Sequence, residues 1–424
     1  MAAKSLRFYF DITCPYAYVA STKVEALAER THATLEPRPI LLGGLFRAHA
    51  TPQKLFATLP PAKARHNFAD MHRQAALAGL RLEMPANHPL RSVEALRALL
   101  IVGVESPTFW PLVHALYRAY WVEGVDISTP EGLRHVLASV PGIEVEAVLA
   151  RLDDPAIKQD LRERTDEAIA AGLFGVPGFV VDDHEDQLYW GADRMDQVER
   201  ALGGDPPKPT LGPADATTPI DLWFDYSSPF AYLGCHMAEA RLGERVRWRP
   251  MLLGAVFKQV GTADVPMFEQ SAAKRKLTAA DLHRQAADAG APFSFPSRFP
   301  MNSVLALRVT LLARAHESAA GRELVHRIFR AYWAEDRDIA DPEVIRELCD
   351  ACGLDGAALV AGASDPAIKD ALRRSTDEAV QAGVFGAPTF VVHTDAGPKL
   401  FWGADRLELA LLAARGDRRA YPEV

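Results

Sequence analysis

Phe224-Asp225-Tyr226-Ser227-Ser228-Pro229-Phe230-Ala231-Tyr232 reads as an apolar strand that runs into a polar residue, a proline and a helix, and the chain carries it twice. The earlier copy is Phe10-Asp11-Ile12-Thr13-Cys14-Pro15-Tyr16-Ala17-Tyr18, so Cys14 stands where Ser228 stands. Further pairs keep the same order. Arg38-Pro39-Ile40-Leu41-Leu42-Gly43 answers Arg249-Pro250-Met251-Leu252-Leu253-Gly254, His72-Arg73-Gln74-Ala75 answers His283-Arg284-Gln285-Ala286, and Arg118-Ala119-Tyr120-Trp121 answers Arg330-Ala331-Tyr332-Trp333. Asp154-Pro155-Ala156 answers Asp365-Pro366-Ala367, Phe174-Gly175-Val176-Pro177 answers Phe385-Gly386-Ala387-Pro388, and Trp190-Gly191-Ala192-Asp193-Arg194 answers Trp402-Gly403-Ala404-Asp405-Arg406. The sequence offset between partners is nearly constant along the whole series, so few insertions separate the copies.

The repeat sets the domain division at 1–203 and 219–424, with 204–218 as a proline-rich linker whose prolines deny backbone donors and favour extended chain. Each copy opens as strand, helix, strand (Leu6 to Phe10 or Ile220 to Phe224, then the strand ending at Arg-Pro). A long middle follows, over 60–172 and 270–383, with apolar residues at helical spacing. Phe179-Val180-Val181 with Leu188-Tyr189-Trp190, and Phe390-Val391-Val392 with Leu400-Phe401-Trp402, read as closing hairpins before a last helix. The order β-α-β, helical insertion, β-β-α predicts an α/β protein of two tandem thioredoxin-like domains, each interrupted by an α-helical domain. The two copies are expected to pack as an internal pseudo-dimer, and a homodimer of whole chains is also open.

With 49% hydrophobic and 24% charged residues the 424-residue chain has a globular composition. Its net charge of −8 and the lack of a long Lys/Arg run speak against nucleic acid as a partner. No apolar run approaches membrane-spanning length, and Met1-Ala2-Ala3-Lys4-Ser5 leads straight into a strand pattern. Four cysteines make no disulfide framework, so a reducing cytoplasm is the expected location. Cys349 and Cys352 share a helix away from any strand-to-helix junction and are expected to be reduced and inert.

Ser228-Pro229 is a good helix start, serine being a preferred N-cap and proline favoured at the first helical position. Cys14 caps poorly, yet free amides at a helix N-terminus stabilise an anion and lower a thiol pKa. Ser228 can therefore donate to a thiolate brought by a ligand, whereas Cys14 can be a thiolate itself. At the other end of the fold, Val176-Pro177 and Ala387-Pro388 taken alone read as trans loop prolines. The thioredoxin-like order reverses this, because in such folds a cis proline faces the helix start and the residue before it, here Val176 or Ala387, offers its backbone to an extended peptide. Asp405, with Glu408 three residues on, fits a capping box, and Asp193 has Asp196 at the same spacing; either aspartate can also hold a ligand ammonium. Lys63 and Lys274 lie in polar segments, where solvation is the default. Tyr120-Trp121 and Tyr332-Trp333 read as core, and His72 and His283 as helix-surface residues.

These residues bring a family into view. Ser228-Pro229-Phe230-Ala231-Tyr232, Phe299-Pro300-Met301-Asn302-Ser303, Ala331-Tyr332-Trp333, Val384-Phe385-Gly386-Ala387-Pro388 and Trp402-Gly403-Ala404-Asp405-Arg406 resemble, in order, motifs of the DsbA-related group that contains 2-hydroxychromene-2-carboxylate isomerases and kappa-class glutathione transferases. The resemblance implies glutathione as cofactor, Ser228 hydrogen-bonding its sulfur, and Ala387 beside Pro388 pairing with its cysteinyl backbone. It also implies Asp405 at the γ-glutamyl end and Lys274 at the glycyl carboxylate, with Cys14, Lys63, Val176, Pro177 and Asp193 as first-copy counterparts. For an isomerase it implies reversible addition of the thiolate to a conjugated, ring-opened aromatic-derived carboxylate, bond rotation, and loss of the thiol. Departures are Thr262 and Thr51 where the transferases carry a glutathione-contacting Asn, Ala404 and Ala192 where a Ser often stands, and Arg91 where the second copy has Asn302.

The expected function is thus a glutathione-dependent isomerase with its main site in the second copy. A kappa-like transferase is the alternative, as is a thiol-disulfide or peroxide oxidoreductase using Cys14, which lacks a second cysteine because Ala17 stands there. A non-enzymatic reading leaves one copy as a buttress for the other.

Overall fold

The computed structural model describes residues 4–182, 187–206, 218–242, 245–263, 265–315 and 317–423. Of the expected linker 204–218, residues 207–217 lie outside the described residues.

In the first repeat β1 (Ser5–Phe10) pairs parallel with β2 (Thr34–Pro39) and antiparallel with β3 (Gly178–Val181), which pairs antiparallel with β4 (Leu188–Trp190). The second repeat builds the same sheet from β5 (Ile220–Phe224), β6 (Val246–Pro250), β7 (Thr389–Thr394) and β8 (Gly397–Trp402), in the order β6-β5-β7-β8 against β2-β1-β3-β4. A strand hydrogen-bonded on both sides is covered on both faces here, and β5 is buried at all five positions. The first sheet packs through aromatics: the Phe8 ring stacks on Phe10 at 5.1 Å and on Phe179 at 5.4 Å.

The insertions are helical, as the 3.6-residue spacing predicts. Phe109–Trp121 and Pro155–Ala170 in the first repeat answer Ala319–Trp333 and Pro366–Gln381 in the second. The Asp-Pro starts work as caps, Asp154 accepting the Ala156 amide and Asp365 the Ala367 amide, each with proline in the first turn. Trp121 and Trp333 are fully buried, in keeping with their reading as core. Each also reaches the strand-to-helix junction of its own repeat: Trp121 Nε1 donates to the Ile12 carbonyl at 2.9 Å, and Trp333 Nε1 to the Tyr226 carbonyl at 2.8 Å.

Two compact units result, and they exchange short segments relative to the repeats. The first comprises Met1–Thr58, Met71–Lys208 and Ser271–Thr278; the second comprises Leu59–Asp70, Pro209–Gln270 and Ala279–Val424. Lys63 therefore belongs with the second unit and Lys274 with the first. No helix among the described residues is long and apolar enough to cross a membrane.

Candidate functional site

Each junction is held by the aspartate that ends its first strand. Asp225 Oδ1 accepts the Ser227 amide at 2.9 Å and Oδ2 the Leu253 amide at 2.7 Å, which ties the end of β5 to the helix after β6. Asp11 accepts the Thr13 amide at 3.0 Å, the Leu42 amide at 2.9 Å and the Ser92 hydroxyl at 3.0 Å. Burial pushes both carboxyls up from the ordinary range against these bonds. Neither aspartate is assigned a role from sequence alone, although their equal placement in both copies is a signal of one.

Ser228 uses both halves of its hydroxyl. Its oxygen accepts the Ala231 amide at 3.1 Å, which caps the helix Pro229–Leu242, and its proton goes to the Ala387 carbonyl at 3.0 Å. The Ala387-Pro388 bond is cis, as are Val176-Pro177, His88-Pro89 and Phe299-Pro300. Ser228, Ala387 and Pro388 are thus brought together. Gly234, one turn into the same helix, faces the ring of Pro388; a Cβ there would lie 2.7 Å from its Cγ.

Cys14 has the same place in the first unit but a different chemistry. Its Sγ donates to the Val176 carbonyl at 3.1 Å and caps nothing. The sequence places it where helix amides lower a thiol pKa, and the structure corrects that expectation. The amides of Tyr16 and Ala17 do favour the thiolate, but desolvation outweighs them and pushes the thiol up to about 12. Cys349 and Cys352 are free thiols, and burial raises both.

The Gly-x-Pro loop carries an indole. Trp190 packs over Gly175 and Trp402 over Gly386; a Cβ on Gly175 would come within 2.9 Å of Trp190 Nε1. Phe174 and Trp190 have ring centroids 4.8 Å apart, and Phe385 and Trp402 are 5.0 Å apart. The glycine after each tryptophan closes the loop: the Gly191 amide donates to the Pro177 carbonyl and the Gly403 amide to the Pro388 carbonyl, both at 3.0 Å.

The lysines stand over these rings crosswise. Lys63 Nζ lies 5.1 Å from the Trp402 ring, whereas Lys274 Nζ lies 5.7 Å from Phe174 and 5.9 Å from Trp190. Lys274, expected beside Ser228, thus belongs with the Cys14 loop, and Lys63 with the Ser228 loop, because the helical segments that carry them are exchanged. Burial lowers the Lys274 pKa. Thr262 and Thr51 lie beyond the ends of short helices and direct their amides to Phe257 and Phe46 carbonyls, at 2.9 and 2.7 Å.

Asp405 and Asp193 are not helix caps. Each is the middle residue of a 3-10 turn, Ala404–Arg406 or Ala192–Arg194, and the interposed turn leaves Arg406 or Arg194 at the cap position with no side-chain cap. Glu408 is instead held by Arg241, with an Nη2–Oε2 distance of 3.3 Å. Gly403, at φ 113°, lets the turn fold back: a Cβ there would sit 2.5 Å from Asp405 Oδ1. Arg406 reaches Asp70 with two bonds, Nε to Oδ1 at 2.7 Å and Nη2 to Oδ2 at 3.0 Å. One turn earlier, His66 Nε2 accepts the Trp402 amide at 3.1 Å, and its ring meets Phe385 edge-on at 5.5 Å. That bond makes His66 the Nδ1–H tautomer. Asp70 and His66 are absent from the sequence-based site because their segment reads as belonging to the other repeat.

A four-stranded mixed sheet, a helical insertion, and a cis-proline loop against a helix start define a thioredoxin-like domain, and this protein has two. The chain belongs to the DSBA-like thioredoxin domain family, whose model matches residues 5–203 and again 219–413. It is 31% identical over 199 residues to 2-hydroxychromene-2-carboxylate isomerase of Sphingobium xenophagum, across 47% of this chain and 98% of that relative. Human glutathione S-transferase kappa 1 is 26% identical over 214 residues, across 47% of this chain and 91% of its own. Among solved structures, a 2-hydroxychromene-2-carboxylate isomerase is similar with a TM-score of 0.40 and 26% identity, over 47% of this chain and 94% of that one. These relatives are enzymes.

Proposed function

We propose that this protein is a glutathione-dependent isomerase of conjugated, aromatic-derived carboxylates, with its working site at Ser228. The observation that carries the reading is the buried Ser228 hydroxyl, 3.0 Å from the Ala387 carbonyl beside the cis proline. The donor set suits the tripeptide: a hydroxyl for a sulfur, a peptide edge at Ala387, the Lys63 ammonium for a carboxylate, and the Asp405 carboxylate for an ammonium. Bound glutathione would supply a nucleophilic thiolate that adds reversibly to the conjugated alkene. Ser228 turns its proton from Ala387 to the sulfur and so favours the ionised form. That move frees the Ala387 carbonyl to accept from the cysteinyl amide. Lys63, held over Trp402, and Asp405, held by its turn, fix the two ends of the tripeptide.

Isomerisation is put before transfer on a narrow margin, the isomerase relatives being 26–31% identical and the kappa-class transferases 25–26%. At Cys14 the raised thiol pKa weighs against redox chemistry, so the first copy is read as a glutathione-binding or supporting domain. The test is conversion of 2-hydroxychromene-2-carboxylate by the full chain with and without glutathione. Turnover should require glutathione; conversion at an equal rate without it overturns the proposal.

A further inference from the structure

Among the described residues β6 ends the second sheet, and no strand pairs with its outer side. Residues 245–250 all line a groove of about 550 Å³, walled by Leu311 and by Ala371, Arg374 and Ser375 of the helix Pro366–Gln381. Consecutive residues on a strand face opposite ways, so a groove touched by all six runs along the backbone edge. Hydrogen bonding gives the same orientation. The Met251 amide donates to the Phe224 carbonyl at 3.0 Å, so in this parallel ladder Arg247 and Arg249 turn their backbone groups to β5. Val246, Trp248 and Pro250 turn theirs outward, and the Pro250 carbonyl is indeed taken by the Ser375 hydroxyl at 2.7 Å.

The edge is also basic. Arg245, Arg247 and Arg249 share one face at a period of two, and Arg374 adds a fourth guanidinium from the wall. Arg249 lies 3.7 Å from both Asp221 and Glu378, the one acid of the groove lining among the described residues, which leaves three guanidiniums facing the groove. Arg245, Arg247 and Arg374 are exposed and make no ion pair among the described residues, in a chain of net charge −8. The matching edge of the first sheet is closed. Glu36 and Pro37 occupy its corresponding positions; Glu36 is held by Arg38 at 2.7 Å and Arg7 at 3.4 Å, and Pro37 has no amide to offer.

We propose that β6 is a docking edge for an extended acidic segment of a partner protein, which adds as a fifth, antiparallel strand with carboxylates at alternate positions. An added strand repeats the period of two, so its carboxylates fall beside Arg245 and Arg247 while its backbone pairs with Val246 and Trp248. A small polyanion would engage the guanidiniums alone.

The probe is a fluorophore-labelled Glu-Thr-Glu-Thr-Glu-Thr-Glu peptide, titrated with the full chain and read by anisotropy. Saturable binding is expected, weakened by about tenfold or more in the Arg245→Glu/Arg247→Glu variant. With the unaltered chain, a peptide whose central threonines are prolines should lose binding, since it cannot pair. Equal binding to both proteins, equal binding of the proline peptide, or no binding of the parent peptide each overturns the proposal.

Discussion

Ser228→Ala removes two hydrogen bonds with separable consequences. Losing the cap on the Ala231 amide costs about 1 kcal/mol, and stripping the Ala387 carbonyl of its donor costs about another 1 kcal/mol, so the second unit should lose roughly 2 kcal/mol. The chemical cost is different in kind. A hydroxyl donating to an anion contributes about 1.5–3 kcal/mol, so its loss should cut kcat/KM by about ten- to a hundredfold and move the pH–rate profile one to two units alkaline, as the bound thiol becomes harder to ionise. Ser228→Gly tells the two apart. Glycine at an N-cap costs only a few tenths of a kcal/mol, so it should be the more stable variant with an equal kinetic defect. The assays are urea unfolding and kcat/KM against pH at saturating glutathione. Lower stability with unchanged kcat/KM and an unmoved pH profile would refute the assignment and leave Ser228 as a cap.

Lys63→Met should weaken, by about tenfold in calorimetric titration, the glutathione binding that Ser228→Ala also weakens, whereas Lys274→Met should leave that binding unchanged. The reverse result would return each lysine to its own repeat. Asp70→Ala breaks the buried two-bond contact with Arg406 and should destabilise the second unit by about 3 kcal/mol in urea unfolding; a loss near zero would make the pair incidental. Cys14 should resist alkylation at neutral pH, followed by mass spectrometry. Its thiol ionises at about 12 when folded and near 9.0 when unfolded, so its contribution is fully present below 9 and should be lost as pH rises toward 12, a slope that Cys14→Ala removes. Rapid labelling at neutral pH would show that the thiol is not held by burial.

The fold was legible because it is written twice: two matching stretches in separate halves of the chain cannot both mimic β-α-β by accident, and the Gly-x-Pro loop locates the far wall of the site. The Ser228–Ala387 contact follows from that topology. The lysines were not legible. Repeat spacing assigns each to its own copy, whereas the unit that 59–70 or 271–278 joins is decided by the chain packed around it, a tertiary fact that the segment's own residues do not carry. The Asp405 cap failed for a local reason: a single 3-10 turn moves a helix start without changing its apolar spacing.

The exchange also changes how the two copies differ. With 59–70 assigned to the second unit, the residue against Trp402 is His66, whose Nε2 accepts the tryptophan amide. In the register that pairs Lys63 with Lys274, its counterpart is Leu277, buried in the first unit with no ring nitrogen to offer. The two loops therefore differ in a hydroxyl against a thiol and an imidazole against an aliphatic side chain, while Asp281 and Arg194 stand in the register of Asp70 and Arg406. Two copies that each served the same reaction would not need that asymmetry, whereas one working site beside a domain relieved of chemistry would produce it.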